Sequence, residues 1–334
     1  MSVIRRNPIT GRWVVFTEEA VPPAAADGPC PFCEGNEALT PPEIIAWDQF
    51  GREDGRTPNA PGWSVRVVPN SHPLLRIESK LEFFAEGMYD AASGTGAHEI
   101  IVETPEHVRS LVDLPREQVS RVLAAYAHRM NDLKGDPRFR SIFIFKNQGA
   151  EAGAGFPGHT HSQVIGLPVT PKALKEILVG ARQHFSFKER CVFCDILHEE
   201  METGKRIVEV TERFTAFEPY ASRHPFETWI LPRRHGPDFE AITDVERDDL
   251  AALLLSVLAR LEKVLPRPAY NLFFYSGPNR KTHPDRWRTL AADFHWSIVI
   301  LPRLFYEAGF EVGSELYGNA MLPERAAEIL RQAG

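Results

Sequence analysis

The chain has 334 residues, 38 basic against 45 acidic for a formal net charge of −7, and is 43% hydrophobic and 25% charged. A chain of this length and composition buries a large core without disulfide staples, and its acidic balance excludes a generic nucleic-acid binder, whose phosphate contacts need a basic excess. No run approaches the ~18–20 apolar residues that span a bilayer, and MSVIRRNPITGRWVVF lacks a signal-peptide core, so a cytoplasmic protein with no membrane partner is expected.

In chain order, Ala20–Gly28 and Asp48–Gly62 are rich in Pro, Gly and Asp and read as surface loops. Between them lies Cys30-Pro-Phe-Cys33. A strand is expected at His98–Thr104, closing in Pro105-Glu106-His107. Val119, Val122, Leu123, Tyr126 and Met130 recur at helical spacing over Pro115–Leu133. A strand Ser141–Lys146, a Gly-rich loop and a strand His159–Leu167 follow, and Pro168–Arg190 holds a helix-like segment.

A second series then repeats the first. It comprises Cys191-Val-Phe-Cys194, a strand Glu227–Leu231, Pro232-Arg-Arg-His235 and a helix Asp244–Val264 opened by a Thr243-to-Glu246 capping box. A strand Tyr270–Tyr275 and Phe294-His295-Trp296, which opens a strand SIVIL, complete it. The repeated order reads as a duplication and not as a short-period solenoid.

The four cysteines occur only as the two Cys-x-x-Cys pairs, 161 positions apart. A secreted disulfide framework scatters its cysteines more widely, and duplicated redox pairs are rarer than duplicated metal knuckles, in which a tight turn aims two thiolates at one ion. Each pair needs two more ligands. No further cysteine exists, so histidines must supply them.

The densest signal runs from Asn147 to Pro168. On a strand, His159, His161 and Gln163 share one face. The preceding loop has Gly149, Gly153, Gly155 and Gly158, where backbone N–H groups can approach an anion closely. A neutral imidazole can attack phosphorus and pass the group onward. Gln163 can donate to a non-bridging oxygen but cannot serve as a general acid, which suits a leaving group that departs as a stable anion, such as a sugar phosphate. A satisfied polar strand would look similar in isolation; the metal knuckle and the glycine-rich lead-in favour phosphate chemistry.

Taken together, the motifs resemble the galactose-1-phosphate uridylyltransferases and their close relatives the ADP-glucose phosphorylases, within the histidine-triad superfamily. The resemblance is carried by Asn7-Pro8 with Gly11-Arg-Trp-Val14, Cys30-Pro-Phe-Cys33, Thr40-Pro-Pro-Glu43, Val65-Arg-Val-Val-Pro-Asn70 and Phe145-Lys-Asn-Gln-Gly149. It continues through His159-x-His161-x-Gln163, Pro225-Phe-Glu-Thr-Trp-Ile-Leu-Pro232, Phe294-His-Trp296 and Gly309-Phe-Glu-Val-Gly313. It implies an α+β protein of two tandem histidine-triad-like halves, residues 1–170 and 171–334, with mainly antiparallel sheet and packed helices, and a double displacement in which His161 takes a nucleotidyl group covalently, releasing sugar 1-phosphate. Cys30, Cys33, His107 and His159 correspond to one zinc site, and Cys191, Cys194, His235 and His295 to a second, for two Zn²⁺ per chain. His98 flanks the same strand as His107, and family position favours His107. Asn70 and Asn147 match positions near the nucleotide, Gln163 the glutamine on its α-phosphate, and Gly153, Gly155 and Glu311 join the substrate-binding set. Relatives are commonly homodimers.

The implied reaction moves UMP between UDP-glucose and galactose 1-phosphate. Where relatives are basic after the Trp13 segment, this chain has Thr17-Glu-Glu-Ala-Val-Pro-Pro, which makes a smaller acceptor attractive: phosphorolysis of ADP-glucose by inorganic phosphate. A non-catalytic zinc-knuckle protein that binds nucleotides is the reading from another class. Relatives often carry Gly where Glu315 stands.

Overall fold

The computed structural model describes residues 2–17, 28–53, 55–156, 158–281 and 287–334. Glu18, Glu19 and all of the expected loop before Gly28 therefore lie outside the described residues. The chain runs through β1 (Val3–Arg6), β2 (Trp13–Phe16), β3 (Ile45–Trp47), β4 (Val65–Pro69), β5 (Phe83–Glu86), β6 (Tyr89–Ser93) and β7 (Ala97–Val102). Next come α1 (Arg116–Leu133), β8 (Ser141–Gln148), β9 (His161–Leu167), α2 (Lys172–Lys188) and α3 (Val192–Thr203). Strands β10 (Ile207–Val210), β11 (Phe214–Phe217) and β12 (Thr228–Pro232) lead to α4 (Asp244–Val264) and β13 (Tyr270–Tyr275). The chain ends in α5 (Leu290–Asp293), β14 (Ser297–Pro302), α6 (Gly309–Ser314) and α7 (Pro323–Gln332).

The helices form where the apolar period is clearest. All five residues of the expected α1 stripe are buried, none more than 2% exposed. Helix α4 starts where its capping box puts it: Thr243 Oγ1 accepts from the Glu246 N–H, and the Glu246 carboxylate accepts from the Thr243 N–H. Among the described residues, no helix is long and apolar enough to cross a membrane.

The mixed α/β architecture has mainly antiparallel sheets, as expected. Ten strands form one sheet in the order β10-β11-β12-β14-β13-β8-β9-β7-β4-β3, and four form a second, β2-β1-β6-β5. The two series share the larger sheet, because β8 pairs antiparallel with β13, Phe145 opposite Phe273 and Asn147 opposite Asn271. One face is covered by α1 and α4, whose Val122, Leu123, Leu254 and Leu258 pack with Ile101, Val164, Leu272 and Ile300 in a core that crosses the junction. The small sheet packs Ile4, Trp13 and Val15 on Phe145, Ile165 and Leu167, on the opposite face.

Strand β9 begins at His161, two residues later than expected. The Thr160 N–H donates to the Val108 carbonyl, which draws His159 and Thr160 out of the ladder. His159 is turned toward the cysteines, and the expected sharing of one face holds for His161 and Gln163 only.

Candidate active site and metal-ligand clusters

The two cysteine pairs meet four histidines. The ligand atoms of Cys30, Cys33, His107 and His159 lie within 4.8 Å of one another, as do those of Cys191, Cys194, His235 and His295. In the first group Cys30 Sγ is 3.4 Å from His159 Nδ1, and Cys33 Sγ is 3.3 Å from His107 Nδ1. In the second, Cys194 Sγ is 3.3 Å from His235 Nδ1 and 3.8 Å from His295 Nδ1. A tetrahedral ion with metal–sulfur bonds of about 2.3 Å and metal–nitrogen bonds of about 2.0–2.1 Å has S···N edges of roughly 3.6 Å. Both groups match that spacing and can hold a metal ion.

The tautomers of His159 and His235 fit as well. His159 Nε2 donates to the Thr104 carbonyl at 2.9 Å and His235 Nε2 to the Ala291 carbonyl at 2.9 Å, leaving each Nδ1 lone pair directed at its group. Burial pushes the Cys33 thiol up to about 11 and the Cys191 thiol to about 12. The protons therefore stay on until a cation displaces them. The knuckles differ locally: Cys33 N–H bonds the Cys30 carbonyl in a turn, whereas Cys191 caps α3 and Cys194 lies in its first turn.

Strand β9 links the first group to the polar strand face. His161 is buried, and its ring lies 5.1 Å from that of Phe32, the aromatic residue inside the first knuckle. His161 Nδ1 donates to the His159 carbonyl at 2.8 Å, which leaves the Nε2 lone pair free. Burial, aided by the positive charge of Lys146, holds its pKa down to about 4, so the ring is neutral at pH 7.

Gln163 follows on the same face, with Oε1 2.7 Å from His98 Nε2. Asn70 Nδ2 is 3.1 Å from the same nitrogen. His161, Gln163 and Asn70 are thus brought into one neighbourhood. Of the two histidines flanking β7, His107 joins the cysteine cluster and His98 joins Gln163.

Asn147, at the end of β8, donates from Nδ2 to the Gly153 carbonyl at 3.3 Å. Gly149 and Gly153 adopt φ of +82° and +80°, and a Cβ on Gly149 would meet Ala269 Cβ at 2.9 Å, so this loop requires glycine there. Gly155 is exposed further along the loop. Glu311 stands apart on exposed α6, where its carboxylate accepts from the Ala308 N–H that opens the helix. Glu315 ends that helix at φ +56°, a conformation that favours glycine, and pairs with Arg12 at 3.0 Å and Lys172 at 3.3 Å.

Two groups escaped sequence reasoning. Asn271 of β13 reaches across the junction and donates to Asn147 Oδ1 at 2.8 Å and the Ala152 carbonyl at 2.9 Å. Beneath β9, Lys146 donates to Glu103, to Thr160 Oγ1 and to the His161 carbonyl. Lys146 alternates out of the apolar SIFIF run, a charge inside a strand, which is the signal that could have revealed it.

Comparison with known proteins gives a consistent relationship. Residues 69–171 match the family model described as galactose-1-phosphate uridyl transferase, N-terminal domain, and residues 180–333 match its C-terminal counterpart. The chain is 31% identical to ADP-glucose phosphorylase of Arabidopsis thaliana, over 98% of this chain and 92% of that protein. It is 27% identical to galactose-1-phosphate uridylyltransferase of Thermotoga maritima, over 99% and 98%. A solved uridylyltransferase superposes with a TM-score of 0.82 at 26% identity, covering 99% of this chain and 98% of that one. The Arabidopsis ADP-glucose phosphorylase, solved with bound ADP-glucose, gives 0.77 at 30% identity, covering 99% of each.

Proposed function

The chain belongs to the galactose-1-phosphate uridylyltransferase family, a family of transferases, and on that premise we propose that it transfers a nucleotidyl group from a nucleotide sugar through a covalent intermediate on His161. The observation that carries the reading is the pairing of a buried, neutral His161, its Nε2 free, with the amide of Gln163 on the same strand face. Nε2 attacks the α-phosphorus, a P–N bond forms, and the bond to the bridging oxygen of the sugar 1-phosphate breaks. That leaving group departs as an anion and needs no proton. The proton stays on Nδ1 throughout, hydrogen-bonded to the His159 carbonyl, so the ring nucleotide is held as a cation that a second phosphate can discharge.

Asn70, Asn147, Gly153, Gly155 and Glu311 bind the nucleotide sugar in this reading. UDP-glucose is the donor and galactose 1-phosphate the acceptor. A second reading, phosphorolysis of ADP-glucose with inorganic phosphate as acceptor, is favoured by the 31% identity to the Arabidopsis phosphorylase. Zn²⁺ fills both Cys₂His₂ groups as a structural staple, two ions per chain. The units 1–170 and 171–334 are tandem histidine-triad-like halves. A homodimer completes this reading.

The test is incubation with UDP-glucose or ADP-glucose labelled at the α-phosphate. Acid-labile, base-stable label should appear on His161 and be chased by galactose 1-phosphate or by phosphate, which separates the two acceptors. Absence of label from both sugars in metal-replete protein would overturn the reading.

A further inference from the structure

His98 lies on β7, diagonal to Gln163 of β9, since Ile100 is the residue directly opposite Gln163. Its two ring nitrogens have unequal company. The Leu74 backbone N–H donates to Nδ1 at 3.0 Å, and a backbone amide can only donate. Nδ1 is therefore the acceptor, and the neutral ring carries its proton on Nε2.

That proton has one acceptor in reach. Asn70 cannot take it: its carbonyl oxygen accepts from the His72 N–H at 2.9 Å, and the atom it leaves 3.1 Å from Nε2 is the amide nitrogen, which has no lone pair to accept with. Gln163 Oε1, at 2.7 Å, remains. The reversed Gln163 amide would set a second NH₂ beside that of Asn70 and leave the Nε2–H with no acceptor. Burial further favours the neutral ring, as the depressed pKa of His98 reflects.

We propose that His98 is a positioning residue for nucleotidyl transfer: its Nε2–H holds the carbonyl of Gln163 inward, so that the amide NH₂ faces the reacting phosphate. The inference rests on the nucleotidyl-transfer reading above. Its physical content is the choice between two amide orientations. One aims two N–H donors at an anionic phosphate; the other aims a carbonyl dipole of the wrong sign.

The test is single-turnover labelling of His161 from α-labelled UDP-glucose and from ADP-glucose, with every variant checked for metal content. Removing one preorganised donor of this kind costs about 10²–10³-fold, and His98→Leu should slow labelling by that order. His98→Gln, whose NH₂ can replace Nε2–H, should recover most of the rate. The double variant His98→Leu/Gln163→Ala should be no slower than Gln163→Ala, because His98 acts through Gln163. Labelling of His98→Leu within threefold of the parent protein, or multiplicative losses in the double variant, overturns the proposal.

A second measurement needs no activity and is read on the parent protein. The ¹⁵N shifts of the His98 ring in the parent protein, assigned by difference against His98→Gln, should report protonated Nε2 and bare Nδ1. The opposite tautomer overturns the wiring. If the parent protein takes no label from either sugar, nucleotidyl transfer fails as a reading and these shifts still decide the orientation of His98.

Discussion

Lys146 Nζ and Glu103 Oε2 are 2.7 Å apart, with neither side chain more than 1% exposed, directly beneath the strand that presents His161. All three ammonium donors are used, on Glu103, Thr160 Oγ1 and the His161 carbonyl. Burial opposes the charge on Glu103, but Lys146 and hydrogen bonds from Ser162 and Thr160 outweigh it and hold the carboxyl below its ordinary range. Lys146→Met should therefore leave a buried, unpaired carboxylate and cost about 3–5 kcal/mol, measured as a fall in the urea midpoint. Removing both charges with Glu103→Leu/Lys146→Met should cost less than the single change. A single variant as stable as the parent would refute this account.

Much of this arrangement was legible in the sequence, and the reason it stops is physical. The α1 stripe and the Thr243 cap are local signals, decided within a few residues, and both recur in the structure. The Cys₂His₂ arithmetic followed from residue types alone. The pairing of β8 with β13 is a contact between strands more than 120 residues apart, which alternation does not specify. The role of His98 likewise depends on the register between β7 and β9; without it, His98 is only a histidine near the right strand.

The two metal-ligand groups should differ in consequence. With zinc in both groups, as proposed above, Cys33→Ser and Cys194→Ser should each remove about one zinc per chain, by elemental analysis. His159 of the first group lies two residues before His161, where β9 begins, so Cys33→Ser should also abolish labelling of His161. The second group ties α3 to residues after β12 and before β14. Cys194→Ser should lower the thermal midpoint while the labelling rate stays within a few-fold. Loss of labelling in Cys194→Ser with the first site still filled would contradict this division.

Glu246 gives a pH test. Although burial works against its charge, bonds from Arg234 and from the Thr243 backbone and hydroxyl hold its pKa down from the ordinary 4.5 to about 2. The folded carboxylate binds protons more weakly than the unfolded one. Its stabilisation is therefore complete above about 4.5 and lost as pH falls toward 2. The stability difference between the parent and Glu246→Gln should be flat from pH 6 to 8 and shrink below the unfolded value, by denaturant titration at each pH. Thr243→Ala, which removes the hydroxyl half of the same cap, should cost about 1 kcal/mol.

The last test concerns the junction. Asn271 makes two hydrogen bonds, to Asn147 and to the Ala152 carbonyl, and so fastens the glycine-rich loop to a strand of the other series. Within that loop, the N–H groups of Ala152, Gly153 and Ala154 bond back to Gly149 and Ala150, and exchange at these amides reports opening of the loop. Each bond from Asn271 is worth about 1 kcal/mol, so Asn271→Ala should speed exchange at these three amides by roughly 10–30-fold. Exchange in α1 and α4 should not change. If the loop orders the nucleotide, the same variant should raise the KM for the nucleotide sugar more than it lowers kcat, since positioning of the ligand is lost while His161 and Gln163 stay in place. Unchanged exchange in Asn271→Ala would mean that the loop is held by its own turns and by Asn147, and that the clamp across the junction contributes nothing to it.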